Sequence, residues 1–254
     1  MKFLLIVSFV FSNCVSAQSV GELLEGWKLR ELPVEAVLQY RDKKHRNKFV
    51  IEDHTLTDNS GNIALSYGRR SKSNLSVSVR NAKFISVNKG EFGGEFGVEV
   101  NGVYTKLMEG NVTNLIHTGD ALVVVEGISH LSLTRGAVYI MDDVANPEPP
   151  KILTMLPEKP SASFIDSDGR LMVATDLGVY GITAGPRGRL DILYRKAFWA
   201  RIFARGPTSI VEFEGNYLIG LAGGVAVVEK GRFEIPKVRF FATENLIRTI
   251  GLME

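Results

Sequence analysis

From about residue 33 onward, the apolar and β-branched residues come in short runs separated by Gly, Asn, Asp and Pro. The runs include Lys48–Ile51, Leu75–Val79, Phe84–Val87, Phe96–Val100, Ala121–Val125 and Ala137–Met141. They continue with Leu171–Thr175, Val179–Ile182, Leu190–Tyr194, Ile210–Phe213, Tyr217–Leu221 and Val225–Val228. Short strands at this spacing, divided by turn residues, predict an all-β sandwich, barrel or propeller. Helical patterning is confined to the ends, where Val20–Leu29 and Thr243–Leu252 each fit a short helix.

Internal similarity separates these architectures. Ser163–Tyr180 aligns without a gap on Ser209–Ala226, at an offset of 46 residues. The alignment sets Asp166 against Glu212, Gly169 against Gly215, Gly178 against Gly224 and Val179 against Val225. A looser copy begins at Asn114, where Gly119–Val125 stands for Gly169–Thr175 and Glu126–Arg135 is an insertion. A fainter one covers Asn81–Gly90. Repeats of this size, each holding several short strands, are the mark of propeller blades, which stack in a ring because one blade cannot keep both faces dry. The expected fold is a small β-propeller of about five four-stranded blades, with a β-sandwich or barrel as the alternative. In the unit, Ser163–Ile165, Leu171–Ala174 and Val179–Ile182 are successive strands. Asp166–Gly169 is the first turn, Leu177-Gly178 the second, and Leu190–Tyr194 the outer strand.

The segment Gly169–Tyr180 resembles the blade repeat of two-component-regulator-type propellers, in which Gly, an apolar residue, Trp, an aliphatic residue, Gly, Thr and a later Gly recur at this spacing. Met172 replaces the usual Trp and Ala174 the usual Gly, and the match covers about 18 residues and their weaker copy at 209–226. The resemblance implies a propeller with a binding surface.

Near the start, Lys2 precedes an apolar run from Phe3 to Phe11, broken only by Ser8, and then the small residues Val15-Ser16-Ala17. This is the form of an export signal cleaved before Gln18, and it is too short to cross a bilayer, which takes about 20 apolar residues. The expected layout is a signal at 1–17 and one propeller-like domain over 18–254, periplasmic or secreted. Cys14, the single cysteine of the sequence, falls within the signal, so disulfides contribute nothing to the exported part. The net charge of +2 gives no global case for nucleic acid or membrane. Locally, residues 91–149 hold nine acidic and two basic side chains, and Arg41–Lys48 is a basic turn.

The chemistry-bearing residues form no recognisable set. Asp166-Ser-Asp168-Gly169 starts like a calcium loop but lacks the later ligands, and reads as a hairpin turn. His45, His54, His117 and His130 have no metal spacing, although His117 and His130 share a blade copy. Acids at turns, among them Asp120, Glu126, Asp142, Asp143 and Asp166, are candidates for the separated carboxylates of a glycosidase, yet nothing pairs any two of them. No cofactor or metal is expected. Gly90–Gly97 repeats Gly-Glu-Phe-Gly, either as a tightly turned strand with Phe92 and Phe96 packed inward or as a protruding acidic, aromatic loop. Lys196–Arg205 reads as core aromatics with snorkelling basic residues.

These features favour an exported, non-catalytic protein: a protein-binding propeller acting as an inhibitor or immunity protein against a toxin or lytic enzyme. Its partner-binding residues would be Glu91, Phe92, Glu95, Phe96, His130 and Arg135. The alternative is a ligand- or glycan-sensing propeller, or a propeller lyase or hydrolase.

Overall fold

A computed structural model describes residues 18–39, 52–68, 74–90, 93–130, 133–183, 188–203, 206–230 and 236–250. The basic segment 41–48 lies outside them, as do Glu91 and Phe92.

The described part is nearly all β and forms a propeller of five sheets. The first sheet is the hairpin β2 (Asp53–Asn59) and β3 (Asn62–Gly68), preceded by α1 (Val20–Gly26), β1 (Arg30–Leu32) and α2 (Val34–Gln39). The second is the meander β4 (Leu75–Val79), β5 (Ala82–Asn88), β6 (Gly94–Val100) and β7 (Val103–Glu109). The third is β8 (Val112–Thr118), β9 (Ala121–His130), β10 (Leu133–Met141) and β11 (Lys151–Leu156). The fourth is β12 (Pro160–Ile165), β13 (Leu171–Thr175), β14 (Gly178–Thr183) and β15 (Arg189–Arg195), followed by α3 (Trp199–Ile202). The fifth is β16 (Ser209–Phe213), β17 (Asn216–Leu221), β18 (Gly224–Glu229) and β19 (Val238–Ala242), before α4 (Glu244–Thr249). Four-stranded blades are thus realised in sheets two to four. The first sheet has two described strands, and the fifth gains β1 as a fifth strand on the outer edge of β19.

The first strand of each sheet is the inner one. Contacts run from β4 to β8, from β8 to β12, from β12 to β16 and from β16 to β2. The repeated unit behaves as its sequence requires: β12–β13–β14 and β16–β17–β18 have the same antiparallel order in adjacent sheets, and Gly169 and Gly215 both take positive φ at the equivalent turn. In the tightest hairpins both turn residues are left-handed, as at Asn101-Gly102 and Glu214-Gly215, which suits the twist of the flanking strands.

Apolar side chains fill the spaces between consecutive sheets. Phe84, Phe96, Leu122 and Val124 lie between sheets two and three, and Val125, Val138, Leu171 and Val173 between three and four. Met172, Ala174, Tyr217 and Ile219 lie between four and five, joined by Trp199 and by Ile247 of α4. Leu56, Val211, Leu218 and Val225 lie between five and one, joined by Leu23 and Leu24 of α1. Met172 and Ala174, the two departures from the two-component-regulator pattern, are therefore blade-to-blade packing residues. The short helices at the ends are present, each with a polar N-cap: Ser19 for α1 and Thr243 for α4.

A four-stranded meander finishes at the end where it began, so each link to the next sheet crosses the same rim. Every inner strand therefore starts at one rim, called upper here, and turns back at the lower rim.

Candidate functional site

Four acids at the lower rim, Asp120, Asp142, Asp166 and Glu212, meet Lys or Arg. Arg80 meets Asp120 at 2.7 Å and Lys151 meets Asp142 at 3.2 Å, both exposed pairs that contribute little. A tighter network joins sheets four and five. The buried carboxylate of Asp166 accepts from the Arg170 backbone N–H (2.8 Å), the Asp168 N–H (3.0 Å), the Arg170 guanidinium (2.9 Å) and the Tyr217 hydroxyl (2.8 Å). Burial alone would raise the Asp166 pKa, but these hydrogen bonds and the Arg170 charge outweigh it and hold it below the ordinary value. Glu212, the counterpart of Asp166 one blade on, accepts from Lys230 Nζ at 2.6 Å and from Ser167 N–H at 2.7 Å. The aspartates that open like a calcium loop thus organise a hairpin and bind it to its neighbour.

The upper rim differs. Glu126, on β9, is half-buried, and burial pushes its carboxyl above the usual range, opposed by the nearby Arg135 charge and the Asn111 backbone N–H. Gly110 packs directly on its side chain. Glu158, in the link from β11 to β12, is 8% exposed and accepts from Thr175 Oγ1 (2.5 Å) and the Tyr180 hydroxyl (2.9 Å). The same Thr175 oxygen accepts from Gly178 N–H at 2.9 Å, fixing the turn that carries Asp176. Asp176 accepts from Ser161 Oγ at 2.9 Å. Among the described residues, none of these three carboxylates forms an ion pair with Lys or Arg, unlike Glu95 and Glu109 on the same rim, which meet Lys89 and Lys106.

Glycines bring these pieces together. Gly127 and Gly136 face each other across β9 and β10. A Cβ would stand 2.3 Å from Pro160 Cδ at the first and 2.4 Å at the second. Only a bare strand pair admits the 158–160 link this closely. Farther round the rim, His54 is buried against Tyr67, with its Nδ1 at 3.0 Å from the Glu52 carbonyl oxygen. Desolvation lowers its pKa, against the opposing pull of the Glu52 carbonyl and the Glu52 and Asp53 charges.

The residues singled out from the sequence scatter. Phe96 has no exposed surface and stacks near Phe84, ring centres 6.2 Å apart, so it cannot anchor a partner. Its burial corrects the surface reading of the Gly-Glu-Phe-Gly repeat. Glu95 reaches Lys89 at 3.9 Å on its own sheet. His130 and Arg135 are exposed near the tip of the long β9–β10 hairpin, and the described residues of the Glu126–Arg135 insertion are strand. His117 is at the far end of the same sheet, opposite Leu122. Eight residues of strand separate Leu122 from His130, roughly 26 Å, so the two histidines do not meet. Ala197, Phe198 and Trp199 are core, as expected of the aromatic part of Lys196–Arg205. Glu158 and Asp176 went unnoticed in the sequence: no motif flanks Glu158, and Asp176 sits in the blade repeat at a position that the repeat pattern does not mark. Among the described residues, no cluster of His, Cys, Asp and Glu has the makings of a metal site.

No protein-family model matches the sequence, and no curated protein sequence matches it. Several solved structures are similar. A bifunctional GH43-CE protein of Bacteroides eggerthii aligns at 11% identity and a TM-score of 0.36, over 66% of this protein and 27% of that one. A xylan β-1,4-xylosidase of Bacillus halodurans aligns at 12% identity and 0.35, over 78% and 43%. A GH43 enzyme of Xanthomonas citri aligns at 10% identity and 0.33, over 86% and 79%. The alignment spans about a quarter of the length of the first and under half of the second. Where a non-catalytic inhibitor was expected, the similar structures are titled as GH43 proteins and a xylosidase, and Phe96, one of the two aromatic residues meant to dock a partner, is buried.

Proposed function

We propose that the protein is an exported glycan-acting hydrolase working at the upper rim. The observation that carries this reading is Glu126, a half-buried carboxyl whose pKa burial raises, on the rim that also holds Glu158 and Asp176, neither of which forms an ion pair with Lys or Arg among the described residues. Glycoside hydrolysis needs two carboxyl groups in different states, one protonated to donate to the leaving oxygen and one ionised to activate water or attack. Glu126 has the character of the acid. Asp176, held by Ser161 and exposed in part, is suited to the ionised role. Glu158, closed in by two hydroxyls, keeps the adjoining turn in shape.

The test is release of reducing sugar from a panel of xylo-, arabino- and galacto-oligosaccharides. Glu126→Gln removes the proton donor at constant shape and is expected to lower turnover by about 10²–10⁴-fold, with Asp176→Asn also impaired. Binding without sugar release by the wild type, or full turnover in Glu126→Gln, would overturn hydrolysis at this site.

A further inference from the structure

Gln18 is exposed and immediately precedes the N-cap of α1. The cap is self-contained: Ser19 N–H donates to Glu22 Oε2 at 2.7 Å, and Glu22 N–H donates to Ser19 Oγ at 3.2 Å. It holds a helix that places Val20, Leu23 and Leu24 in the core between the last and first sheets.

We propose that removal of residues 1–17 makes Gln18 the N-terminal residue and that it then closes to pyroglutamate; this rests on the export reading, with cleavage after Ala17. In the closure, the Gln18 α-amino nitrogen attacks the Cδ carbonyl carbon of the same residue. The new bond from nitrogen to Cδ completes a five-membered lactam, a proton passes from the attacking nitrogen to Nε2, the bond from Cδ to Nε2 breaks, and Nε2 leaves as ammonia. No oxidant or reductant takes part. The attacking amine must be neutral, and an α-amino group with a pKa of about 7.7–8.0 supplies that form readily near neutral pH.

The fold gives the closure a consequence. An ammonium on residue 18 would sit beside the positive end of α1 and compete with Ser19 N–H for the Glu22 carboxylate. The lactam abolishes that charge and consumes no group of the cap, because the Ser19 amide nitrogen is untouched.

The experiment is intact-mass analysis of the full-length protein expressed in a secreting host and recovered from outside the cytoplasm, repeated after incubation at neutral pH. The expected mass is that of residues 18–254 less one ammonia, and Gln18→Ser is expected to give the plain mass of its own 18–254 product. A mass for 18–254 with glutamine intact after incubation would overturn the cyclisation while leaving the cleavage standing. A product starting at any other residue would overturn both, and would show that the export reading had failed first.

Discussion

Replacing Asp166 by Asn tests whether the lower rim locks two blades together. The wild-type carboxylate is fully buried and takes two backbone N–H groups on Oδ1, with the Arg170 guanidinium and the Tyr217 hydroxyl on Oδ2. Asparagine keeps the first pair. Its amide NH2 would then face two donors, and Arg170 would keep Asp168 as its one carboxylate partner, at 3.3 Å and half-exposed, beside the Tyr217 hydroxyl at 2.7 Å. A lost charge-assisted hydrogen bond and a stranded cation together cost about 2–3 kcal/mol, less than breaking a fully buried pair because Arg170 keeps some solvent and one carboxylate partner. For a protein of this length that lowers Tm by about 4–12 °C. Thermal unfolding followed by circular dichroism reads it, and its pH dependence adds an independent check. The folded-state pKa of Asp166 lies below its ordinary value of 3.8, so its contribution is present above that value and is lost as pH falls through the folded pKa. The gap between wild type and Asp166→Asn should therefore be full at neutral pH and shrink in strong acid. An unchanged Tm at neutral pH, or a gap that persists undiminished in strong acid, would refute the reasoning.

Three further outcomes follow from the packing. Phe96→Ala empties a fully buried ring site between sheets two and three and should cost about 3–5 kcal/mol in urea unfolding; a neutral result would return Phe96 to the surface. Gly136→Ala sets a methyl 2.4 Å from Pro160 Cδ and 2.8 Å from the Glu158 carbonyl oxygen, and should lower the urea midpoint by about 1–3 kcal/mol of stability at unchanged m. His54 is held neutral by burial, so the unfolded state takes up its proton more readily and stability falls as pH drops below the ordinary histidine value of 6.5; His54→Gln should flatten that fall, and an identical pH profile would contradict it.

The blades were legible because strand rhythm and turn chemistry are local. Gly169 and Gly215 mark the same left-handed turn in two copies, and the alternation around them sends the same positions into the inter-blade core. The clasp of β1 on β19 was not legible, since Arg-Glu-Leu at 30–32 has no strand pattern and is specified only by the partner it meets. The Gly-Glu-Phe-Gly repeat left two readings open, and at Phe96 the inward one holds. Gly94 and Gly97 are needed because backbone oxygens pass within 2.5 Å of where a Cβ would be. The upper-rim acids were the hardest to read. Glu126 lies in mid-strand and acquires its character from burial, and Glu158 becomes a structural carboxylate only when the 158–160 link folds onto Gly127 and Gly136 and reaches Thr175. Such roles are created by contacts distant in sequence.

The upper-rim account is tested most directly by a carboxyl-carbon NMR titration of Glu126, assigned by its loss in Glu126→Gln, with and without xylo-, arabino- and galacto-oligosaccharides. Glu126 should titrate above the ordinary glutamate value of 4.5, and its resonance should move when a hydrolysed sugar is added. Titration at or below 4.5, with no response to any of the three sugars, would contradict the assignment of this rim as the site of glycan chemistry.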